Sequence, residues 1–460
     1  MPSQRETRRR ALLFMRANKR LLFGLIGIPA LISVAYFLNL FTVGGVSNRF
    51  DQVYVQFVSH TSQKTISPNI RLVYIDEEHN RALLEQHPQL AGIVNDDLRR
   101  QPWREFHSQL VSKLDKAGAA IVAFDFTFPA AANMYKGANK AFIDAVRDAN
   151  NHGRTHVVIG WKLDEMTDHD LSQVLATEQA GDIEVGGMSS DTGDSKSLRV
   201  IAIAISDGRT VNGVIEERLR TPIPMPLRLF TIATHKGKPL IVSHLEANQG
   251  DVALYENGTN HLIQSELMFC EADSPNCKVT QGFEWRRTAV VPLIMPSIDS
   301  RNEIPYENIL SSGDLTEYKD KIVIVGARID QEKVTVPGAE SGAQLYGYQA
   351  HAAILDDLLH NRYPRRVRFF PQLILFFALS SFALIGRRLL PRTDVEVNTL
   401  VFGVRPIPIG LLILIVIYGL TAVITYRFHL FLNVTYDLAL LIAAYFAVGP
   451  KASIATELEP

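Results

Sequence analysis

The sequence has no surplus of charge of either sign, since 47 Lys and Arg residues stand against 48 Asp and Glu residues in 460. Nucleic-acid-binding domains usually carry a basic surplus, so this balance gives no support to that class. Charged residues make up 21% of the chain and hydrophobic residues 47%. These are ordinary values for a folded protein, and they exclude a largely disordered chain.

Cysteine is scarce, because Cys270 and Cys277 are the only two in the sequence. Two cysteines do not make a structural zinc site, which usually takes four ligands. The short segment between them contains Pro275 and is predicted to be a hairpin closed by a disulfide bond, which suits an oxidising compartment. The alternative is a pair of free thiols.

Motifs of the common signalling enzymes are also absent, since the sequence contains neither the HRD and DFG signatures of a kinase nor a P-loop. We therefore expect no enzymatic activity, no cofactor and no bound metal. The one enzymatic alternative is a metal-dependent hydrolase, whose ligands would be Asp76, Glu77, Asp125 and His351.

Long hydrophobic runs are present, and they lie near the two ends of the chain. We predict four transmembrane helices, at residues 21–43, 369–386, 406–426 and 430–449. The first three runs contain no charged residue, and the fourth contains only Asp437. An ionisable residue within a membrane is often functional. Because Asp437 is near the start of its run, we expect it at the membrane interface beside Tyr436.

Basic residues predict the orientation of these helices. Seven Lys and Arg residues lie between Arg5 and Arg20, whereas the first basic residue after the first run is Arg49. Cytoplasmic flanks carry the basic excess, so we expect residues 1–20 in the cytoplasm and 44–368 on the other side. The loop 387–405 and the tail 450–460 then lie in the cytoplasm. The first run is too long for a signal peptide and lacks a clear cleavage site, which favours a retained anchor.

The segment 44–368 shows the alternation of strands and helices that is typical of an α/β fold with a mixed or parallel sheet. Short β-branched runs predict strands, at residues 69–75, 119–124, 155–160 and 321–325. Apolar residues at helical spacing predict helices, at residues 103–117, 138–149 and 347–361. The last of these leads toward the second hydrophobic run, as a mechanical link or as a simple spacer.

Polar residues follow three of the predicted strands, and they are our candidate ligand-binding site. Asp76, Asp125 and Arg328 each stand at or just after the carboxyl end of a strand, and His351 lies at the start of the following helix. Ligands of open α/β sheets bind beyond these strand ends. If the three strands are neighbours, the side chains meet in one crevice. The structural alternative is that the two aspartates cap local turns and Arg328 pairs with one of them.

Several short motifs together resemble a known family. They are Ile75-Asp-Glu-Glu78, Trp103-Arg104, the segment 116–126, Ile304-Pro-Tyr306, the segment 318–327 and the segment 347–359. In this order, and followed by a transmembrane helix, they resemble the type-two CHASE domain, an extracellular sensory module of bacterial receptors. The resemblance covers residues 45–365 and implies a periplasmic sensor, which is usually joined through about three helices to a cytoplasmic kinase, cyclase or diguanylate-cyclase domain.

The sequence departs from that arrangement, because only residues 450–460 follow the last predicted helix. We expect so short a tail to hold no output domain. The predicted function is therefore a sensor subunit of the bacterial inner membrane, which binds a small ligand or protein signal in the periplasm and passes it to a separate cytoplasmic or membrane partner. Homo-oligomers are compatible with this function. The alternative is a structural or assembly protein that uses the periplasmic domain as a docking surface.

Overall fold

The computed structural model divides the chain into two units. The α/β unit comprises Val55–Tyr363, and the helical unit comprises Met1–Tyr54 and Pro364–Pro460. The structure describes residues 19–38, 64–76, 78–86, 101–126, 128, 136–151, 154–161, 179–181, 201–211, 214–219, 225–235, 251–256, 259–269, 285–291, 296–335, 344–362, 365–367, 369–389, 408–428 and 430–447.

The regular elements are numbered along the chain. The helices are α1 (Lys19–Leu22, a π-helical turn Phe23–Gly27, and Ile28–Phe37), α2 (Arg81–Gln86), α3 (Gln101–Ala117), α4 (Lys136–Asn151), α5 (Met225–His235), α6 (Tyr306–Ser311), α7 (Gly347–Leu359), α8 (Phe369–Leu389), α9 (Ile409–Arg427) and α10 (Val434–Ala447). The strands are β1 (Lys64–Thr65), β2 (Ile70–Ile75), β3 (Ile121–Phe124), β4 (His156–Trp161), β5 (Gln179–Gly181), β6 (Ile201–Val211), β7 (Val214–Leu219), β8 (Asp251–Glu256), β9 (Thr259–Phe269), β10 (Trp285–Val291), β11 (Pro296–Ser297), β12 (Glu303–Pro305), β13 (Ile322–Ala327), β14 (Lys333–Thr335), β15 (Gln344–Tyr346), β16 (Arg365–Arg366) and β17 (Leu430–Phe431).

A six-stranded sheet forms the centre of the α/β unit, with the strand order β12-β2-β13-β3-β4-β5. All its neighbouring strands are parallel. Side chains alternate between its faces, so Leu72 and Tyr74 pack on one side while Val73 and Ile75 pack on the other. Helices α5 and α7 cover the first face, and α3, α4 and α6 cover the second. The predicted α/β fold with parallel strands is therefore confirmed, and the four predicted strands are β2, β3, β4 and β13.

A second sheet in the same unit has five strands in the order β7-β6-β10-β9-β8. All its neighbouring strands are antiparallel. Cys270 and Cys277 fall between β9 and β10 and lie outside the described residues, so their disulfide bond remains a prediction.

The helical unit contains the four apolar helices α1, α8, α9 and α10. Two of them, Phe370–Leu389 and Ile409–Arg427, are long and apolar enough to cross a membrane. The apolar helices Phe23–Phe37 and Val434–Ala447 are shorter than a typical span. Helix α8 stabilises the π-helical turn of α1, because its Ser380 Oγ donates a hydrogen bond to the Gly24 carbonyl.

Two predicted helix boundaries are corrected. The first predicted span extends to residue 43, but the described helix ends at Phe37, followed by Leu38 as its cap. The fourth was predicted from Leu430, but Leu430–Phe431 is a strand that pairs in parallel with Arg365–Arg366. Helix α10 begins only at Val434. Hydropathy alone does not separate a short apolar strand from a helix.

Helix α7 lies unusually close to the sheet at Gly326 of β13. A Cβ atom at this position would lie 2.5 Å from the Cβ of Tyr348, which is fully buried at the start of α7. Such an approach is possible only for glycine, because real Cβ atoms do not come so near to one another. The absence of a side chain at residue 326 therefore sets the distance between helix and sheet.

We expect Gly326→Ala to lower the free energy of unfolding by about 1–3 kcal/mol, because the added methyl group forces α7 away from β13. Denaturant unfolding of the purified protein measures this change. Gly313→Ala is the matched control, since a Cβ there meets no atom within 4 Å. Equal stability of the two variants would show that α7 tolerates displacement from the sheet.

Candidate ligand site at the sheet edge

Three polar residues directly follow the carboxyl ends of neighbouring strands, which is the condition that the sequence analysis set for a common site. Strand β13 lies between β2 and β3 in the sheet. The ladder continues past the strand ends, because Asp125 N donates to Val325 O at 2.8 Å and Arg328 N donates to Ile75 O at 2.9 Å. Asp76, Arg328 and Asp125 therefore stand side by side on one edge of the sheet.

Asp125 and His351 are brought into direct contact. The Nε2 atom of His351 lies 2.8 Å from Oδ1 of Asp125, and the His351 side chain is 5% exposed. The other ring nitrogen, Nδ1, is buried and has no hydrogen-bond partner among the residues that the structure describes. Gly347 makes room for this pair, since a Cβ there would lie 2.6 Å from Oδ2 of Asp125. The carboxylate is thus held against the first turn of α7, where the helix dipole favours a negative charge.

Arg328 does not join that pair but stacks on tyrosines. Its guanidinium carbon lies 4.7 Å from the ring centre of Tyr74 and 5.7 Å from that of Tyr346. Burial acts to lower the pKa of Arg328, but the negative charge of Glu303 and contacts with tyrosines outweigh it, so the pKa is raised. Arg328 therefore stays charged in a partly buried, aromatic setting.

The first turn of α7 is fastened to Glu303 on β12. Oε1 of Glu303 accepts hydrogen bonds from Tyr348 Oη at 2.5 Å and from Gln349 Nε2 at 2.7 Å. Oε1 of Gln349 in turn accepts from the backbone N–H of Tyr346 at 3.0 Å. Burial and the nearby Glu303 charge raise the pKa of Tyr348, which keeps its hydroxyl a donor. These bonds fix the direction in which α7 leaves the site.

Asp76 has a local role. Its two oxygens contact the backbone N–H of His79 at 2.7 Å and the His79 ring Nδ1 at 2.9 Å. The carboxylate thus caps the turn after β2, which is the structural alternative that we considered for this residue. The His79 ring packs edge-on against Tyr74 with their centres 5.4 Å apart.

The four predicted residues therefore form two neighbouring groups rather than one. Asp125 and His351 touch, whereas Arg328 and Asp76 both interact with Tyr74. Burial raises the pKa of Tyr74, the charge of Asp76 adds to this shift, and the charge of Arg328 opposes it. Sequence reasoning did not find Tyr74, Glu303, Tyr346 and Tyr348. Tyr346 and Tyr348 stand on both sides of Gly347, and this aromatic pair is the sequence feature from which these two residues could have been predicted. In the described part of the chain, no three His, Cys, Asp or Glu side chains lie close enough to hold a metal ion.

A second cluster of charged residues surrounds the other end of α7. Asp357 Oδ1 pairs with Lys64 Nζ of β1 at 3.0 Å, and Asp356 pairs with Arg362. Lys64 Nζ also donates to the backbone carbonyl of Arg362 at 3.2 Å, and Ser67 N donates to Asp356 Oδ1 at 3.3 Å. We call Lys64, Asp356, Asp357 and Arg362 the exit cluster. It ties the beginning of the α/β unit to its end.

The fold and the edge site define a class of protein: a parallel α/β domain with a polar strand-end site, preceded and followed in the sequence by apolar helices. The family model for the CHASE2 domain matches residues 30–387, most of the chain. The protein belongs to this family of extracellular sensory domains. The match begins within α1 and ends within α8. Searches of curated proteins and of solved structures found no match.

The exit cluster predicts a pH effect on stability. Burial raises the pKa of Asp357 above its ordinary 3.8, with Lys64 opposing the shift. At pH values between the ordinary pKa and the raised pKa, the folded protein binds a proton that the unfolded chain releases. The contribution of Asp357 to the free energy of unfolding therefore falls as pH rises. We expect the stability of the wild type, relative to Asp357→Asn, to decrease with rising pH in chemical denaturation.

Asp299→Asn is the control with the opposite sign. Hydrogen bonds from the Arg301 side chain and backbone lower the pKa of Asp299 to about 2. This exposed carboxylate therefore stabilises the fold above its ordinary pKa of 3.8, and the effect is lost as pH falls toward 2. Parallel pH profiles for the two variants would contradict the assignment of Asp357.

Proposed function

We propose that the protein is a sensor subunit of the bacterial inner membrane, in which α7 carries a signal from the sheet-edge site to the exit cluster. The observation that supports this most strongly is that one helix of 13 residues, Gly347–Leu359, takes part in both clusters. Membership of a sensory domain family supports the same role.

The first turns of α7 provide the ligand end of this path. His351 combines a bond to Asp125 with a buried Nδ1 that lacks a partner in the described part of the chain, so a polar ligand atom at Nδ1 satisfies a group that is otherwise costly to bury. Arg328 and Tyr346 offer a charged and an aromatic surface beside it. A small polar ligand that contacts this edge therefore changes the partners of residues on the helix itself.

The last turn of α7 provides the output end. Asp356 and Asp357 are both almost fully buried, and they bind Lys64 and Arg362, the residues near which the chain enters and leaves the described α/β unit. Along the sequence, Arg362 comes shortly before α8, and Lys64 follows α1. A shift of α7 along the sheet therefore alters the ion pairs of the residues near which the chain enters and leaves the described α/β unit.

A ligand shifts such an equilibrium only by the difference between its affinities for the two states. In this proposal the two states differ in the position of α7, and the ligand discriminates between them through Asp125 and His351. Glu303 resists the movement, because it holds Tyr348 and Gln349 in one arrangement. The signal then passes to a separate cytoplasmic or membrane partner.

The proposed placement puts residues 44–368 in the periplasm and all four apolar helices in the membrane. The basic segment before α1 supports a cytoplasmic N-terminus. Helices α8 and α9 are long enough to span a membrane, and α1 and α10 pack against α8 to complete the bundle. The predicted disulfide between Cys270 and Cys277 suits the oxidising periplasm.

Hydrogen exchange tests the path through α7. We expect Asp125→Asn to speed amide exchange in residues 356–362 and 64–67 by roughly tenfold, because weakening a charge-assisted bond at one end of the helix loosens its far end. Mass spectrometry of the detergent-solubilised full chain resolves these peptides.

Thr155→Val is the matched control for this experiment. It removes one buried hydrogen bond, from Thr155 Oγ1 to Ala119 O, from the same sheet but away from α7. Exchange at the exit cluster should stay at the wild-type rate in this variant. If Asp125→Asn also leaves the exit cluster unchanged, the helix does not transmit, and the domain serves instead as a docking surface in an envelope assembly.

Thiol labelling tests the placement. In a background with both native cysteines replaced by serine, we expect Lys140→Cys to react with a membrane-impermeant maleimide in intact spheroplasts, since Lys140 is 80% exposed. Arg388→Cys, at the exposed end of α8, should react only after the membrane is opened. The wild-type cysteines should take up label only after reduction.

The reverse labelling pattern would place the α/β unit in the cytoplasm and remove the basis of the sensor proposal. Labelling of the wild type without reduction would show that Cys270 and Cys277 are free thiols, which leaves the placement itself unaffected.

A further inference from the structure

The helical unit buries an acidic side chain between its helices. Asp437, which we expected at the membrane interface from the sequence, is 0% exposed and lies in the first turn of α10. Gln372 of α8 is equally buried, and Asn433 and Tyr418 are nearly so. A polar cluster enclosed by apolar helices is costly unless its members bond to one another.

These side chains form one continuous chain of hydrogen bonds across all four helices. Asn433 Nδ2 lies 3.3 Å from Tyr36 Oη of α1 and 2.8 Å from Gln372 Oε1 of α8. Gln372 Nε2 donates to Asp437 Oδ1 at 2.6 Å. Tyr418 Oη of α9 donates to Asp437 Oδ2 at 2.7 Å. In this arrangement both carboxylate oxygens accept, as the ionised form requires.

The same chain can run in the opposite direction. If Asp437 is protonated, its hydroxyl donates to Gln372 Oε1, provided that the amide turns over. Gln372 Nε2 then donates to the oxygen of a turned Asn433, which also accepts from Tyr36 Oη. Tyr418 continues to donate to the carbonyl oxygen of the acid. Every link is kept in either state, since each amide offers a donor and an acceptor of nearly the same shape.

The titratable groups around Asp437 come from three helices. Tyr36 and Tyr418 end the chain on α1 and α9, and Tyr436 lies on the same helix with its ring 5.1 Å from that of Tyr36. Helix α8 contributes the neutral Gln372 here. Its Arg387 lies toward the other end of the helix, where Nη1 donates to Tyr445 Oη at 3.1 Å. Gln372 and Tyr418 are thus neutral donors to the carboxylate, and their bonds survive the addition of a proton.

We propose that Asp437 is a proton-binding site, and that the chain Tyr36–Asn433–Gln372–Asp437 reverses its direction when the proton binds, while Tyr418 donates in both states. This site belongs to the helical unit and does not depend on the ligand site of the α/β unit. It gives the four helices two hydrogen-bonded states within one packing, which are selected by the proton.

Infrared spectroscopy of the full chain in nanodiscs tests the proposal. We expect a protonated-carboxyl band from a buried acid that appears as pH is lowered and is missing in Asp437→Asn. Circular dichroism confirms that each variant keeps its helices.

Two tyrosine variants keep the test decisive if Asp437→Asn does not fold. Tyr418→Phe removes a donor that bonds the ionised carboxylate more strongly than the neutral acid, so the titration midpoint should move to higher pH by about one unit, a roughly tenfold gain in proton affinity. Tyr36→Phe loses the same hydroxyl at the far end of the chain, where it bonds to the neutral amide of Asn433, so the midpoint should hardly move.

A carboxyl band that is absent at every pH, or present at every pH, would overturn the proposal, because Asp437 would then keep one protonation state. Equal midpoints in Tyr418→Phe and Tyr36→Phe would overturn the assignment of the band to Asp437. A midpoint that moves only in Tyr418→Phe supports it.

Discussion

The close packing of α7 against β13 is the constraint on which the rest of the α/β unit depends. Gly326 brings the helix so near to the sheet that no side chain fits between them. This position puts Gly347 beside Asp125 and His351 at one end, and Asp356 and Asp357 beside Lys64 and Arg362 at the other. Because protein interiors are densely packed, we expect a helix held in this way to move as a rigid body rather than to bend.

Both units bury charge, and both offset the cost with specific partners. In the α/β unit the buried aspartates of the exit cluster meet Lys64 and Arg362. In the helical unit Asp437 meets an amide and a phenol from two other helices. Ion pairs and hydrogen bonds of this kind contribute little net stability, but they penalise any arrangement that separates the partners. These buried polar groups therefore favour the arrangement of α7 and of the apolar helices that the structure shows.

The sequence predicted the elements of the candidate site better than their partners. Asp125 and His351 do meet, because a strand end and the start of α7 could be located from hydrophobic patterns. Arg328 and Asp76 stand on the predicted edge but take other contacts, on Tyr74 and on His79. A strand pattern gives the position of a residue along the sheet edge. It does not give the direction in which a long side chain turns, and Glu303, which acts on Arg328, comes from a strand too short to recognise.

The amino-acid sequence by itself determined the parallel α/β fold, the strands β2, β3, β4 and β13, the helix α7 and the existence of apolar runs, because each rests on a local period of hydrophobic residues. Only the tertiary structure decided that β13 lies between β2 and β3, that α7 joins two charged clusters, and that Asp437 is enclosed by the other helices. These relations join residues that are far apart along the chain. No local period encodes them, and they arise only when the apolar faces pack together.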